Sequence, residues 1–403
     1  MRQETKLIYT DLQKHFHNSI VPPSENKIGI EYEIICLDKK TLKRLDYGSK
    51  PGIKNILEYF VSLGFEPKYE EHLLIGASRD DFYMTLEPGG QLEASFAPYK
   101  TIKEIKKALD TYVGILKEIE DTYSIVFIAC GVDPLNALAD VPWMPKDRYR
   151  IMQKYLAPKG SMGHMMMKQS AAIQVNIDYN SEEDALRKHN MILNLSQPLM
   201  HMFANSSIYT GTIQNTLNFR ETIWQNTDPE RCGISLHHNA PLNSFQDYID
   251  AALKIPMILL YKNSRFIEIT HRLSFEEFID KGYSGYTATI DDWKLHLNML
   301  YPHLRFNFKT LEIRLFDCNK PDVVLAIGAL IKGLVYNNKK IEKKMSAQEI
   351  VDFAKKELST SEAFYLSPLE KFLETKKTCA EEANDRFIHL KNMHEFINSL
   401  KVL

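Results

Sequence analysis

The sequence predicts an α+β fold in one large domain, with a mostly antiparallel sheet that carries helices on its apolar face and leaves its polar face open. Three observations predict it. Several segments alternate apolar and polar residues with a period of two, amphipathic helical stretches separate them, and the 403 residues contain no Gly/Ser/Pro linker. No repeat with a period of about 20–50 residues divides the chain either.

Taken in order, the spacing predicts a strand over Lys27–Cys36, where Ile28, Ile30, Tyr32 and Ile34 share one face and Gly29, Glu31 and Glu33 the other. Glu87 and Glu93 flank Pro88-Gly89-Gly90, a turn able to bring both carboxylates back to one region. Thr101–Glu120 has the period of an amphipathic helix, and the apolar run Ser124–Cys130 reads as a buried strand. Met165-Met166-Met167 reads as core packing. Ala171–Tyr179 alternates again, with Ile173, Val175 and Ile177 opposite Gln174, Asn176 and Asp178. Ser181-x-x-Asp184 resembles a capping box and opens a long helix. Lys309–Asp317 predicts a further strand, with Leu311, Ile313 and Leu315 opposite Glu312, Arg314 and Phe316. After Pro321 the chain reads as mostly helical, and the basic run Lys339, Lys340, Lys343 and Lys344 as a solvated helix face. The expected organisation is one domain over residues 1–403, with the chemical motifs within about 28–318 and a helical part over about 321–403.

Composition narrows the function classes. Fifty Lys and Arg against 52 Asp and Glu give a formal charge of −2, which lacks the basic excess that drives binding to a nucleic-acid backbone. The five cysteines (Cys36, Cys130, Cys232, Cys318 and Cys379) are scattered and form no C-x-x-C pair, so a disulfide framework is not expected and a reducing cytoplasm is. Met1–Lys6 has no apolar segment, so no signal peptide is expected. The longest apolar stretch, Val323–Tyr336, is broken by Lys332 and is shorter than the ~20 residues that span a bilayer.

The chemistry lies in the acids on the polar strand faces. Glu31 and Glu33, two apart on a strand, point the same way, and Glu312 shares a face with Arg314. A single E-x-E pair is ordinarily surface decoration; the joint pattern carries weight only if these strands lie side by side. Two carboxylates about 4 Å apart repel by ~4 kcal/mol at an effective dielectric near 20. Five in one cup must therefore titrate high or recruit cations. Mg²⁺ with substrate phosphates is the natural counter-charge for an oxygen-only donor set. The P-loop signature G-x-x-x-x-G-K-[ST] is absent.

Gly29-Ile30-Glu31-Tyr32-Glu33 and Leu86-Glu87-Pro88-Gly89-Gly90-Gln91-Leu92-Glu93 resemble the opening motifs of glutamate–cysteine ligase (γ-glutamylcysteine synthetase) of the plant and proteobacterial class. The resemblance continues in order through Met144–Tyr149, Gln174–Asp178, Phe203–Ser206, Phe219-Arg220 with Trp224, Thr227–Gly233 and Leu311–Arg314. It implies a glutamine-synthetase-like fold whose curved sheet forms an open cup for ATP, Mg²⁺ and an amino acid. It further implies that Glu31, Glu33, Glu87, Glu93 and Glu312 are metal carboxylates, and that Arg220 and Trp224 hold glutamate. Tyr149, Gln174 and Asn176 would join them on the substrate side. Lys146 and Arg314 would serve the nucleotide, and Arg148 and Arg314 the transferring phosphoryl group. The implied activity is ATP-dependent activation of the γ-carboxylate of glutamate as an acyl phosphate. Joining it to an amine, cysteine in the best-known case, opens glutathione synthesis. Small-molecule partners only, no nucleic acid, no membrane, and a monomer or homodimer are expected.

The sequence departs from the family where the acceptor binds. Ile234–Ala240 replaces a Leu-Pro-Phe-Val-Phe stretch, and Pro256-Met257-Ile258-Leu259 stands where the family has Pro-Met-Tyr-Phe. Losing that tyrosine hydroxyl weakens discrimination for the group it held. A non-cysteine acceptor and family drift with cysteine retained both remain open. His237 and His238 read as loop or substrate contacts rather than a metal pair, and Asp147 stands where the family often has Gly. A phosphotransferase of the same fold class, and a binding protein derived from an enzyme, are the competing readings; retention of all five acids, Arg220 and Arg314 argues against the second.

Overall fold

The computed structural model describes residues 7–402 except 235, 237–239, 342 and 391. Its centre is an open nine-stranded sheet. In chain order the strands are β1 (Ile28–Asp38), β2 (Glu66–Glu70), β3 (Leu73–Arg79), β4 (Phe82–Leu86), β5 (Leu92–Phe96), β6 (Ile125–Ile128), β7 (Ala172–Ile177), β8 (Leu304–Phe306) and β9 (Leu311–Asp317). Across the sheet the order is β8-β9-β7-β1-β5-β4-β3-β2, with β6 paired to the far half of β1. Every pairing is antiparallel, as half-polar alternation requires.

The apolar face is formed by Ile30, Tyr32 and Ile34 of β1 with Leu92, Ala94, Ile173, Val175 and Ile313, all buried. Among the helices that flank the sheet are α1 (Ile53–Ser62), α2 (Ile102–Thr122), α3 (Asp147–Leu156), α4 (Glu182–Met202), α5 (Phe219–Gln225) and α6 (Pro321–Val335). Burying α2 and α6 against this face removes the apolar stripe of each from water, the main stabilising force for such layers. Helix α6 approaches β1 closely because Gly328 has no side chain; a Cβ there would lie 2.8 Å from Ile30 Cδ1. The one polar group of that strand face, the Tyr32 hydroxyl, donates to the Asn319 carbonyl at 2.9 Å.

Helix starts follow the sequence. Thr101 and Glu104 form a reciprocal capping box on α2, and the Ser181 hydroxyl accepts the Asp184 amide at the start of α4. Met165, Met166 and Met167 are buried in a short helix. The chain ends against the sheet, with the Ala129 amide donating to Leu400 and the Val402 amide to Phe127. Among the described residues no helix is long and apolar enough to cross a membrane.

Two expectations fail. The basic run is a loop, because α6 stops at Val335 and the Asn337 side chain caps its Gly333 and Leu334 carbonyls; Lys339 and Lys343 pair with Glu357 and Glu349 instead. Phe316 is on the apolar face. A bulge between Ile313 and Phe316 inserts one residue into β9, so Phe316 lies opposite Ile173 and Asp317 opposite Ala172.

Candidate active site: a carboxylate cup

The cross-strand register assembles the acids. Glu33 lies opposite Glu93, Glu93 opposite Thr85, Glu31 opposite both Ser95 and Gln174, and Glu312 opposite Asn176 and Arg305. Directly opposed residues share a face, so one polar surface carries them all. This surface floors a hollow of about 1590 Å³ whose lining includes Glu31, Glu33, Glu87, Glu93, Gln174, Lys146, Arg148, Tyr149, Arg305 and Arg314. Its outer walls are the β2–β3 edge and the hairpin of Leu259–Lys262 with Arg265–Glu268.

Each acid is held. Glu33 accepts the Ala172 amide at 2.8 Å and Gln174 Nε2 at 2.6 Å, and Glu31 accepts Asn176 Nδ2 at 2.9 Å. Burial raises the Glu31 and Glu33 carboxyls to about 7, reinforced by Glu312 for the first and Glu87 for the second. Glu93 is pushed up by burial and by Glu31, Glu87 and Glu33. Glu312 goes the other way. Although buried, it takes a fork of two bonds from Arg305 at 2.8 and 3.0 Å and pairs with Arg314, and these guanidiniums hold its carboxyl below the usual range. Crowded acids were expected to titrate high or recruit cations; Glu312 does neither by itself, because two guanidiniums already neutralise it.

The cationic side is Lys146, Arg148 and Arg314. Lys146, at the start of α3, donates to Leu86 O and meets the Tyr149 hydroxyl, both at 3.0 Å; burial and the neighbouring Arg148 lower its pKa to about 7. The Arg148 guanidinium contacts the Tyr149 hydroxyl at 3.3 Å, and its Nε has no partner in the described structure. Arg314 donates to Gln174 Oε1 at 2.5 Å.

Gln174 and Asn176, expected on the substrate side, have amides committed to Glu33, Arg314 and Glu31. Arg220 and Trp224 do not line the hollow. They lie under Arg314: Arg220 Nη2 donates to the Arg314 carbonyl at 3.2 Å, and both guanidiniums sit 5.7–5.9 Å from the Trp224 ring. The bulge in β9 brings Asp317 to Arg220, 3.8 Å away. Among the described residues no three His, Cys, Asp or Glu side chains surround a single ion site. Asp147 opens α3, its amide donating to Glu70; Ile258 is buried; His237, His238 and Asn239 lie outside the described residues.

Sequence reasoning missed Arg305, although the triplet Leu304-Arg305-Phe306 just before the last predicted strand was a signal. It also missed Arg231, seen only as part of a motif. Fully buried, Arg231 donates to Asp228, Tyr155, Met299 and Pro256 at 2.6–2.8 Å and ties α3 to two segments beside the hollow.

The profile of glutamate–cysteine ligase family 2 matches residues 27–387. Glutamate–cysteine ligase B, chloroplastic, of Oryza sativa subsp. japonica is 32% identical over 336 residues, covering 82% of this chain and 67% of that protein. The chloroplastic glutamate–cysteine ligase A of Oryza sativa subsp. indica is 33% identical over 325 residues (79% and 65%), and that of Arabidopsis thaliana 30% over 336 residues (82% and 63%). The chain thus spans about two thirds of the length of these relatives. The crystal structure of the Francisella tularensis glutamate–cysteine ligase in complex with AMP shares the fold with a TM-score of 0.59 at 11% identity, covering 93% of this chain and 87% of that one. The expected cytoplasmic location is corrected by these comparisons, because the plant relatives are chloroplastic. A cysteine pattern without C-x-x-C pairs does not say which compartment holds a chain. With four-fifths of its length matched to plant glutamate–cysteine ligases and its open sheet shared with a bacterial one, this chain belongs to glutamate–cysteine ligase family 2.

Proposed function

We propose that this chain is an ATP- and Mg²⁺-dependent ligase that joins the γ-carboxylate of glutamate to the amine of cysteine, giving γ-glutamylcysteine, the first step of glutathione synthesis. The observation that carries the reading is the crowding of Glu31, Glu33 and Glu93, whose carboxyls are all raised, beside Arg314, Arg148 and Lys146 in one hollow. Buried carboxylates short of counter-charge, with oxygen donors only, fit Mg²⁺, which is usually held by one or two carboxylates plus substrate phosphates rather than by a closed protein cage. Glu31, Glu33, Glu87 and Glu93 would hold Mg²⁺ in ones and twos together with substrate phosphates, with Glu312 at the edge of the set. Bound there, Mg²⁺ supplies charge that neutralises phosphate oxygens.

The chain's own residues do the rest. Arg314 and Arg148 present planar forks to anionic oxygens, and Lys146 stands at the turn that bears Glu87, where a phosphate beside it would favour its charged form. Gln174, bonded to Glu33 and Arg314 together, holds acid and base in register. Arg220 and Trp224 support Arg314 from below and would act on glutamate through it. The γ-carboxylate of glutamate attacks the γ-phosphorus of ATP and ADP leaves. The amine then displaces phosphate from the acyl carbon and gives up a proton, steps that depend on alignment and charge neutralisation more than on covalent help.

ADP release with ATP, Mg²⁺, glutamate and a panel of amines, read together with product mass, tests this. Cysteine should give ADP, phosphate and γ-glutamylcysteine. A stable phosphorylated product with no amide would overturn ligation, and turnover with another amine but not cysteine would overturn the acceptor.

A further inference from the structure

We propose that the buried ion pair of Arg44 and Asp133 is a positioning device for the cation site, acting through the Gly89 carbonyl to set the Glu87 and Glu93 carboxylates; this rests on the reading that the cup holds a divalent cation. Neither residue lines the hollow. Their side chains are 1% and 0% exposed and stand 3.2 Å apart. A pair so removed from water is weak evidence for stability, because apolar residues of similar volume often serve as well. What apolar residues could not supply is the second bond of the guanidinium, from Nη2 to Gly89 O at 2.7 Å.

That carbonyl belongs to the turn between the two acids. The turn is closed by Gly90 N to Glu87 O and by Glu87 N to Gln91 O, both at 2.9 Å, and Gly90 has φ +80°. It is wedged against α3's approach and the buried helix Gly163–Gln169: Met144 N donates to Pro88 O at 2.8 Å, and a Cβ on Gly89 would lie 2.2 Å from Lys168 O. Asp133 is fixed in turn, its Oδ1 accepting the Leu135 and Asn136 amides at 2.9 and 3.0 Å. Arg44 is bridged to Leu37 of β1, the strand of Glu31 and Glu33. Arg44 therefore links the strand of Glu31 and Glu33, through its backbone, to the turn between Glu87 and Glu93, through its guanidinium. Supporting partners of this kind change metal affinity without touching the ion.

Mn²⁺ binding to the full chain, followed by paramagnetic resonance, tests the proposal with two variants. Arg44→Lys keeps the charge opposite Asp133 but not the fork, and Arg44→Met with Asp133→Leu removes both charges. Both should keep a cooperative thermal transition yet bind Mn²⁺ about tenfold more weakly, with the Mg²⁺ requirement for ADP release raised in parallel. A purely structural pair would move the melting temperature and leave the Mn²⁺ affinity alone. Wild-type affinity in either folded variant overturns the proposal; failure of the wild-type protein itself to bind Mn²⁺ overturns the cation reading on which it rests.

Discussion

Glu31 and Glu312 lie in one cup with opposite electrostatics, and the same substitution should act on them in opposite directions. Glu31 is raised to about 7 by burial and Glu312, so Glu31→Gln removes a repelled charge. It should abolish ADP release while leaving the melting temperature without divalent ions unchanged or higher at pH 8, checked by calorimetry beside the ADP assay. Glu312→Gln leaves Arg305 and Arg314 without their carboxylate, so it should also lose ADP release but destabilise the fold by about 3–5 kcal/mol, measurable by denaturant unfolding. Equal stability for Glu312→Gln would refute the pairing. The sequence placed Glu312 on the right face, but the signal of Leu304-Arg305-Phe306 went unread, and so relief of repulsion was predicted where there is a neutralised cluster. Arg220→Ala should strand the buried Asp317, with a loss of similar size, and Asp317→Asn should recover part of it. A raised KM for glutamate in the stable double variant would support the glutamate-side role.

At the scale of elements, alternation located the central strands within a few residues, because a half-buried antiparallel strand writes its two faces directly into the chain. It failed at Phe316, because a bulge is a property of the pairing between β9 and β7 and not of either strand alone. The error has a consequence for the site: without the extra residue, Asp317 would face the helices and not Arg220. The turn of Pro88-Gly89-Gly90 was legible as a turn, but the neighbour that forbids a side chain at Gly89 comes from 79 residues further on. Gly89→Ala should cost about 1–3 kcal/mol through the contact with Lys168 O and should weaken Mg²⁺-dependent turnover, because the displaced turn carries Glu87. Retained stability and an unchanged Mg²⁺ requirement would show that the turn yields.

For the whole molecule the cup makes stability depend on pH and on divalent ions together. Glu31 and Glu33 titrate near 7 when folded and near 4.5 when unfolded, so between those values the folded state holds more protons and its stability falls as pH rises. Buried His15 and His296, lowered to about 4 and about 3, act oppositely: their contribution is lost as pH falls from 6.5. Without divalent ions the protein should therefore melt lower at pH 8 than at pH 6, and Mg²⁺ should recover the difference at pH 8; a flat response to both would remove the repelled cup. By itself the sequence determined the α+β class, which strand faces are polar, the eight ordered motifs and through them the family, because periodicity and motif order are local properties of the chain. Only tertiary structure decided which acids repel and which are neutralised, that Gln174 and Asn176 hold carboxylates, and that Arg220 and Trp224 sit beneath Arg314. Those depend on residues brought together from distant strands in a particular register, and the balance of charge in a buried cup belongs to the assembled neighbours, not to any one segment.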